Sequence, residues 1–360
     1  MDRQEQAGRQ GEELMIRRAR RLLSFALLGL VVACGGQSAP LPVVNSAPPV
    51  IFTPRPVLPV TSLPGWDREN KALVVAAFAT GCGKLDQSFA AACRAARAVF
   101  HGDEQDAQRF LEANFNAVYL GANQVTGYFE ITVPGSLRPD ARFHVPVLRA
   151  PAAPDQFSRN EILNGALAGR GLELLYLESE ADLYFLQLQG SGRVVLPDGR
   201  LVRLGTIAHN NRPRTPVSTI FGDADIPGHD LSIPGIRAWA AQHPAEANRR
   251  LTRDQAYVFF RVTPELSPQY GPYGAFGLPL LPIRSVAVDP REVKLGSMLW
   301  LNAINSLDHT QLPRLVLAHD IGDLIDGAGR VDVFYGWGPK AEQDGGHENT
   351  QGALWALVPR

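Results

Sequence analysis

Three aspartates stand where a carboxyl group could move a proton. Ser285-Val286-Ala287-Val288-Asp289-Pro290 and Ala318-His319-Asp320-Ile321-Gly322 each put an Asp at the end of an apolar run, and Arg330-Val331-Asp332-Val333-Phe334 puts a third inside one. For a lone Asp at a strand end the plain reading is turn capping, because the side chain bonds nearby backbone. Asp332 resists that reading. Aspartate is depleted in strands, and burying its charge is costly unless it is paired or protonated. A carboxyl in apolar surroundings beside another carboxylate has its pKa raised, the state a general acid needs. Rival chemistries lack their residues. His347-Glu348 are adjacent rather than one helical turn apart, Gln189-Gly190-Ser191-Gly192 lacks the spacing of a nucleophile elbow, and no phosphate-binding GxxxxGK loop is present. No metal site and no cofactor are expected.

Such residues need a rigid frame. Apolar residues three and four apart predict helices over Asp67–Phe78, Asp86–Val99 and Asp103–Asn114, with a break at Gly81-Cys82-Gly83. Beyond Val118 the texture changes to short β-branched and aromatic runs punctuated by Gly and Pro. Strands are predicted at Val125–Val133, Phe143–Leu148, Leu183–Gln189 and Arg193–Leu196, and Pro197-Asp198-Gly199 makes a hairpin turn because Gly tolerates positive φ. Helices follow at Ile236–Gln242 and Ala245–Arg253. Strands resume at Ala256–Arg261, Ser285–Val288, Ser297–Leu301, Leu315–Ala318, Val331–Tyr335 and Ala353–Val358, a pattern suited to a closed barrel.

Length and composition agree. A chain of 360 residues is long enough for two domains, and its 34 Gly and 28 Pro suit strands and turns better than a helical bundle. With 35 Lys and Arg against 36 Asp and Glu, no basic excess is present to neutralise a phosphate backbone, so no nucleic-acid partner is expected. Arg17, Arg18, Arg20 and Arg21 precede a 12-residue apolar run, Leu22–Ala33, that is too short to span a bilayer but fits a secretory signal at 1–33. Its Val31-Val32-Ala33-Cys34 ending resembles a bacterial lipobox, which implies lipidation of Cys34. Gly35 after it implies the periplasmic face of the outer membrane. The polar stretch before Met15 leaves Met1 and Met15 both open as the start. Eight prolines between Pro40 and Pro64 make 34–65 an extended, semi-rigid tether. In an oxidising periplasm a structural Cys82–Cys93 disulfide is favoured over two free buried thiols.

Several motifs together carry a family resemblance. Val288-Asp289-Pro290, Leu295-Gly296, Asp320-Ile321-Gly322, Val331-Asp332-Val333-Phe334, Tyr335-Gly336-Trp337-Gly338 and Ala341-Glu342 resemble the three-aspartate (3D) domain. Upstream, Thr126-Gly127-Tyr128-Phe129-Glu130, Leu186 to Arg193, Tyr257-Val258-Phe259-Phe260 and Gly274 to Leu280 resemble signatures of the membrane-bound lytic transglycosylase A family. The similarity runs in order from about Trp66 to Arg360. One departure stands beside Asp320. The family's Asp-Thr-Gly-Gly-Ala-Ile reads Asp320-Ile321-Gly322-Asp323-Leu324-Ile325 here, which removes a hydroxyl.

The resemblance implies a mainly β fold with N-terminal helices. A double-psi β-barrel would form from 66–128 and 262–360, with a smaller β-barrel inserted at 129–261 and a glycan groove between them. It implies cleavage of the β-1,4 bond between N-acetylmuramic acid and N-acetylglucosamine in peptidoglycan, leaving 1,6-anhydromuramic ends. Asp332 would be the acid/base, Asp320 its charged neighbour and Asp289 structural. Tyr128, Glu130, Gln187, Gln189, Ser191 and Arg193 would bind glycan. The implied partners are glycan strands, the membrane through a lipid anchor, and other cell-wall synthases or hydrolases. Two alternatives stay open: a non-catalytic wall-binding lipoprotein, and a hydrolytic muramidase.

Overall fold

Val57–Pro59 (β1) lies antiparallel against the start of a single 22-residue strand, Phe115–Ser136 (β2). The structure is a computed structural model that describes residues 55–264, 266–304, 311–322 and 324–360. The signal segment 1–33, Cys34, the choice of start and the tether as far as residue 54 lie outside the described residues. The C-terminal end of the expected tether is corrected. β1 is held by backbone pairing to β2 while its side chains stay exposed, and Val60 and Leu63 beyond it are buried, so the stretch from Val57 is docked on the fold rather than extended in solvent.

Three helices follow, Ala72–Gly81, Ala90–Ala98 and Glu104–Asn114. The first starts later than the apolar spacing predicts, because Trp66–Arg68 forms a 3-10 turn and Glu104 Oε2 accepts from the backbone N–H groups of Lys71 and Ala72. The third is capped by Asp103 and Asp106 bonding each other's backbone N–H. Cys82 and Cys93 are joined in a disulfide that ties the first two helices together.

The remaining strands are Val145–Leu148 (β3), Glu173–Leu177 (β4), Ser191–Val195 (β5), Leu201–His209 (β6) and Val258–Val262 (β7), then Ser285–Val288 (β8), Met298–Ile304 (β9), Gln311–Ile321 (β10), Val331–Trp337 (β11) and Asn349–Pro359 (β12). Pairing runs β11-β8-β10-β9-β12-β2, and β11 pairs back to β2 in parallel. The same β2 carries on past this set to pair with β5, which leads to β6 and β7, and with β4, which leads to β3. Gly199, at φ 82°, turns β5 into β6 as the sequence predicts.

Buried residues follow this division along β2. Val125 packs with Val286, Leu299, Val316 and Val331, whereas Phe129, Ile131 and Val133 pack with Leu183, Phe185, Ile220 and Ile236. Thr126, Gly127 and Tyr128 fall between the two cores. Gly127 is required there, since a Cβ would stand 2.7 Å from the carbonyl oxygen of Gly345.

One predicted element changes type. Leu183–Gln189 is the second half of a helix, Glu180–Gln189, not a strand. Ser179 Oγ accepts from Asp182 N–H at one end, and Gly190, at φ 73°, closes the other. Every side chain from Ala181 to Gln187 is buried, so no polar face breaks the apolar run and the helical period is invisible in sequence.

Candidate active site

Strand register brings two aspartates to one face. Asp332 on β11 and Asp320 on β10 both take Ala287 of β8 as their backbone partner, one from each side. Their backbones are thus two strand spacings apart, about 9–10 Å, with Ala287 on the strand between them. Asp320 reaches that face through a bulge: Ala318 pairs with Val286 and Asp320 with Ala287, so His319 is the extra residue. His319 turns inward. It is buried, stacks on Phe276 with ring centroids 5.5 Å apart, and its Nδ1 lies 3.1 Å from Ser285 Oγ. Burial pushes its pKa down to about 4, so the ring is neutral at neutral pH.

Asp332 is half-buried, and Thr126 Oγ1 donates to its Oδ1 at 2.7 Å. Burial pushes its pKa up to about 6. The Thr126 hydroxyl and the Arg330 charge pull it back, and the Asp320 charge raises it least, so desolvation rather than the neighbouring charge keeps the proton. Asp320 is also raised by burial, against hydrogen bonds from the Ala275 N–H at 3.0 Å and from Tyr128 Oη at 2.9 Å. Asp289 differs. It is 2% exposed and takes bonds from Arg291 Nε at 2.9 Å, Arg291 Nη2 at 2.7 Å and the Gly327 N–H at 2.8 Å. These donors hold it well below the usual carboxylate range, and they tether the loop that leads into β11.

A groove runs past both groups as two adjoining clefts of about 430 and 420 Å³ that share Tyr128, Gln189, Arg214, Asp320 and Ile321. One half continues along Ser191, Thr206 and Arg261. The other holds Thr126, Ala287, Arg330 and Asp332. Among the described residues, no cluster of His, Cys, Asp and Glu could hold a metal ion, and no helix is long and apolar enough to cross a membrane.

Of the six residues expected to bind glycan, four line the groove: Tyr128, Gln187, Gln189 and Ser191. Gln189 Oε1 also accepts from the Phe129 N–H at 2.9 Å, fixing the helix end to β2. Glu130, Arg193 and Gln187 are buried with their polar groups engaged inside the protein. Glu130 is fully buried between Arg193, at 2.8 Å, and Arg203, at 2.7 Å. Arg193 also donates to the carbonyls of Pro268 and Tyr270 and stacks on Trp337. Gln187 lies in the cleft wall, but its amide is spent on Arg159 and the Val258 carbonyl. A buried ion triad and a buried amide with satisfied bonds hold the fold around the groove.

Sequence reasoning missed Arg203 and Arg330. A signal existed for the first: the Asp-Gly hairpin sets Arg193 opposite Arg203, a like-charge pair that demands an acid nearby. For Arg330 there was none, because an Arg before a strand is ordinary surface usage.

Comparison with known proteins gives a consistent result. Residues 124–261 match the family profile described as the MltA specific insert domain, and residues 284–358 match the 3D domain. The membrane-bound lytic murein transglycosylase A of Vibrio cholerae is 29% identical over 241 residues, 64% of either chain. Its counterpart in Escherichia coli K12 is 30% identical over 250 residues, 66% of either chain. The chain therefore spans just under two thirds of the length of these curated relatives. Among solved structures, MltA from Neisseria gonorrhoeae aligns with a TM-score of 0.74 and 28% identity, over 84% of this chain and 92% of that one. A membrane-bound lytic murein transglycosylase from Agrobacterium tumefaciens gives 0.75 and 26%, over 84% and 97%. E. coli MltA with bound chitohexaose gives 0.65 and 25%, over 78% and 89%.

Proposed function

Because this chain belongs to the membrane-bound lytic murein transglycosylase A family, we propose that it cleaves the β-1,4 bond between N-acetylmuramic acid and N-acetylglucosamine in peptidoglycan, leaving 1,6-anhydromuramic ends. The observation that carries this reading is Asp332, a groove-lining carboxyl that burial keeps partly protonated with a pKa of about 6. Neutral Asp332 gives its proton to the glycosidic oxygen as the C1–O bond breaks and the bonding pair leaves with that oxygen. The C6 hydroxyl of the same sugar attacks C1, and its proton passes to the Asp332 carboxylate, which ends neutral. No water is consumed, and one group does both proton transfers, a contribution of roughly 10²–10⁴-fold. Asp320, held by Tyr128 and the Ala275 N–H, supplies an oriented partial negative charge toward positive charge developing at C1.

The chitohexaose held by the E. coli relative supports a saccharide chain in the groove. Tyr128, Gln189 and Ser191 would meet it there, with Asp289 structural. The ring of pairings that returns from β11 to β2 supports a double-psi β-barrel built from about 66–128 and 262–360. The insert at about 129–261 would be the smaller domain. The lipobox-like Cys34 and the relatives' name, membrane-bound, support a lipid anchor facing the periplasm. There the chain would meet other cell-wall synthases or hydrolases.

A second reading rests on one observation. Aspartates whose backbones lie two strand spacings apart leave room for the water that an inverting hydrolase holds between carboxyls about 6.5–9.5 Å apart. Mass spectrometry of products from purified sacculi separates the readings. Anhydro-ended muropeptides are expected; products carrying one added water would establish hydrolysis, and no products at all would leave a binding protein.

A further inference from the structure

Arg330 lines the same half of the groove as Asp332, at the entry to β11, and the catalytic cycle above makes no use of it. Its Nη1 donates to the carbonyls of Gln124, at 3.2 Å, and Val331, so backbone on two strands holds the guanidinium. Its Nη2 donates to Thr126 Oγ1 at 2.9 Å, and Thr126 Oγ1 lies 2.7 Å from Asp332 Oδ1. A guanidinium has only donors, whereas a hydroxyl has one proton and two lone pairs. With Arg330 occupying a lone pair of Thr126, the hydroxyl proton is directed to Oδ1. A neutral Asp332 then carries its own proton on Oδ2.

We propose that Arg330 is a positioning residue for the transglycosylase reaction: acting through Thr126, it dictates that the transferable proton of Asp332 sits on Oδ2. This rests on the reading of Asp332 as acid/base. The same chain of donors serves the second half of the cycle. Once the proton has left, the Thr126 bond and the nearby cation stabilise the carboxylate that must next accept from the C6 hydroxyl. Without Arg330, Thr126 can turn, Oδ1 and Oδ2 become equivalent, and the acid spends part of its time with the proton aimed away from the glycan.

The groups that face Asp332 are few. Arg330 stands two residues before it on the chain, Thr126 and Tyr128 face it from β2, and Asp320 from β10, while β8 sets Ala287 opposite. Among the described residues Arg214 also lines this cleft, but Arg330 is the cation whose charge acts on Asp332, so its removal has a signed effect on the pH profile.

Arg330→Gln, Thr126→Val and the double variant are compared with the unaltered chain on purified sacculi, counting anhydro ends from roughly pH 4.5 to 8. Arg330→Gln is expected to lower kcat about 10–100-fold with KM little changed, and to move the alkaline limb up by about half a pH unit or more. Thr126→Val does the same, and the double variant is no slower than the slower single, because the two residues act as one unit. Arg330→Lys, which keeps a charge and a donor, recovers part of the rate. Losses that add in the double variant, or an Arg330→Gln enzyme with an unmoved profile, overturn the proposal. Thermal unfolding monitors each variant. If Arg330→Gln does not fold, Thr126→Ser decides: it recovers most of what Thr126→Val loses, and a Ser variant as slow as Val sinks the idea. The underlying reading is judged separately, by anhydro ends from the unaltered chain and none from Asp332→Asn. Failure of those controls removes the acid/base assignment whatever Arg330 does.

Discussion

Asp332→Asn is expected to destroy activity and yet make the protein more stable, by an amount that depends on pH. The carboxyl is raised from 3.8 in the unfolded chain to about 6 in the folded one. The folded state therefore binds the proton more tightly than the unfolded state, and between these values stability falls as pH rises. Below 3.8 both states hold the proton and nothing is lost. Above about 6 the full penalty for a buried charge is present. Two units at about 1.4 kcal/mol each give an upper value near 3 kcal/mol, and partial exposure to the groove brings the expected gain to about 1–3 kcal/mol. The Asn amide replaces the carboxyl almost isosterically, and its oxygen still accepts from Thr126 Oγ1. Thermal unfolding of both proteins at about pH 3.5, 5 and 7.5 reads the difference. The variant should match the parent at the lowest pH and exceed it by several degrees at the highest. An equal gain at all three values, or none at pH 7.5, would refute the claim that Asp332 is a desolvated carboxyl kept for function at a cost to stability.

Two further outcomes follow from the same geometry. The rate on sacculi should be greatest below about pH 6 and fall tenfold per unit above it, since the acid must start protonated; a profile flat to pH 8 would show that Asp332 does not supply the proton. Glu130→Gln, which leaves Arg193 and Arg203 buried without a counter-charge, should cost about 3–5 kcal/mol in urea unfolding, whereas a glycan-binding Glu130 would weaken affinity with little loss of stability.

Much of this protein is written locally. The capping aspartates of the Glu104–Asn114 helix, the Asp-Gly turn between β5 and β6 and the β-branched runs around Asp332 each act over a few residues, and each is visible in the chain. So is the suspicion that falls on Asp332, because a charged residue among Val and Phe has an energetic cost wherever the strand packs. What tertiary structure decided is of two kinds. Burial on all sides erases periodicity, so Leu183–Gln189 reads as a strand although it is a helix whose cap residues lie outside the apolar run. Register across strands distant in sequence decides which polar side chains meet. Ala287 aligns Asp320 with Asp332 only because His319 bulges, and Glu130 is spent on two arginines 63 and 73 residues away. Residue type says which groups can carry charge or donate a proton. Whether a group faces a sugar or a counter-ion depends on contacts that loop closure brings together, and these have no signature in any short stretch of sequence.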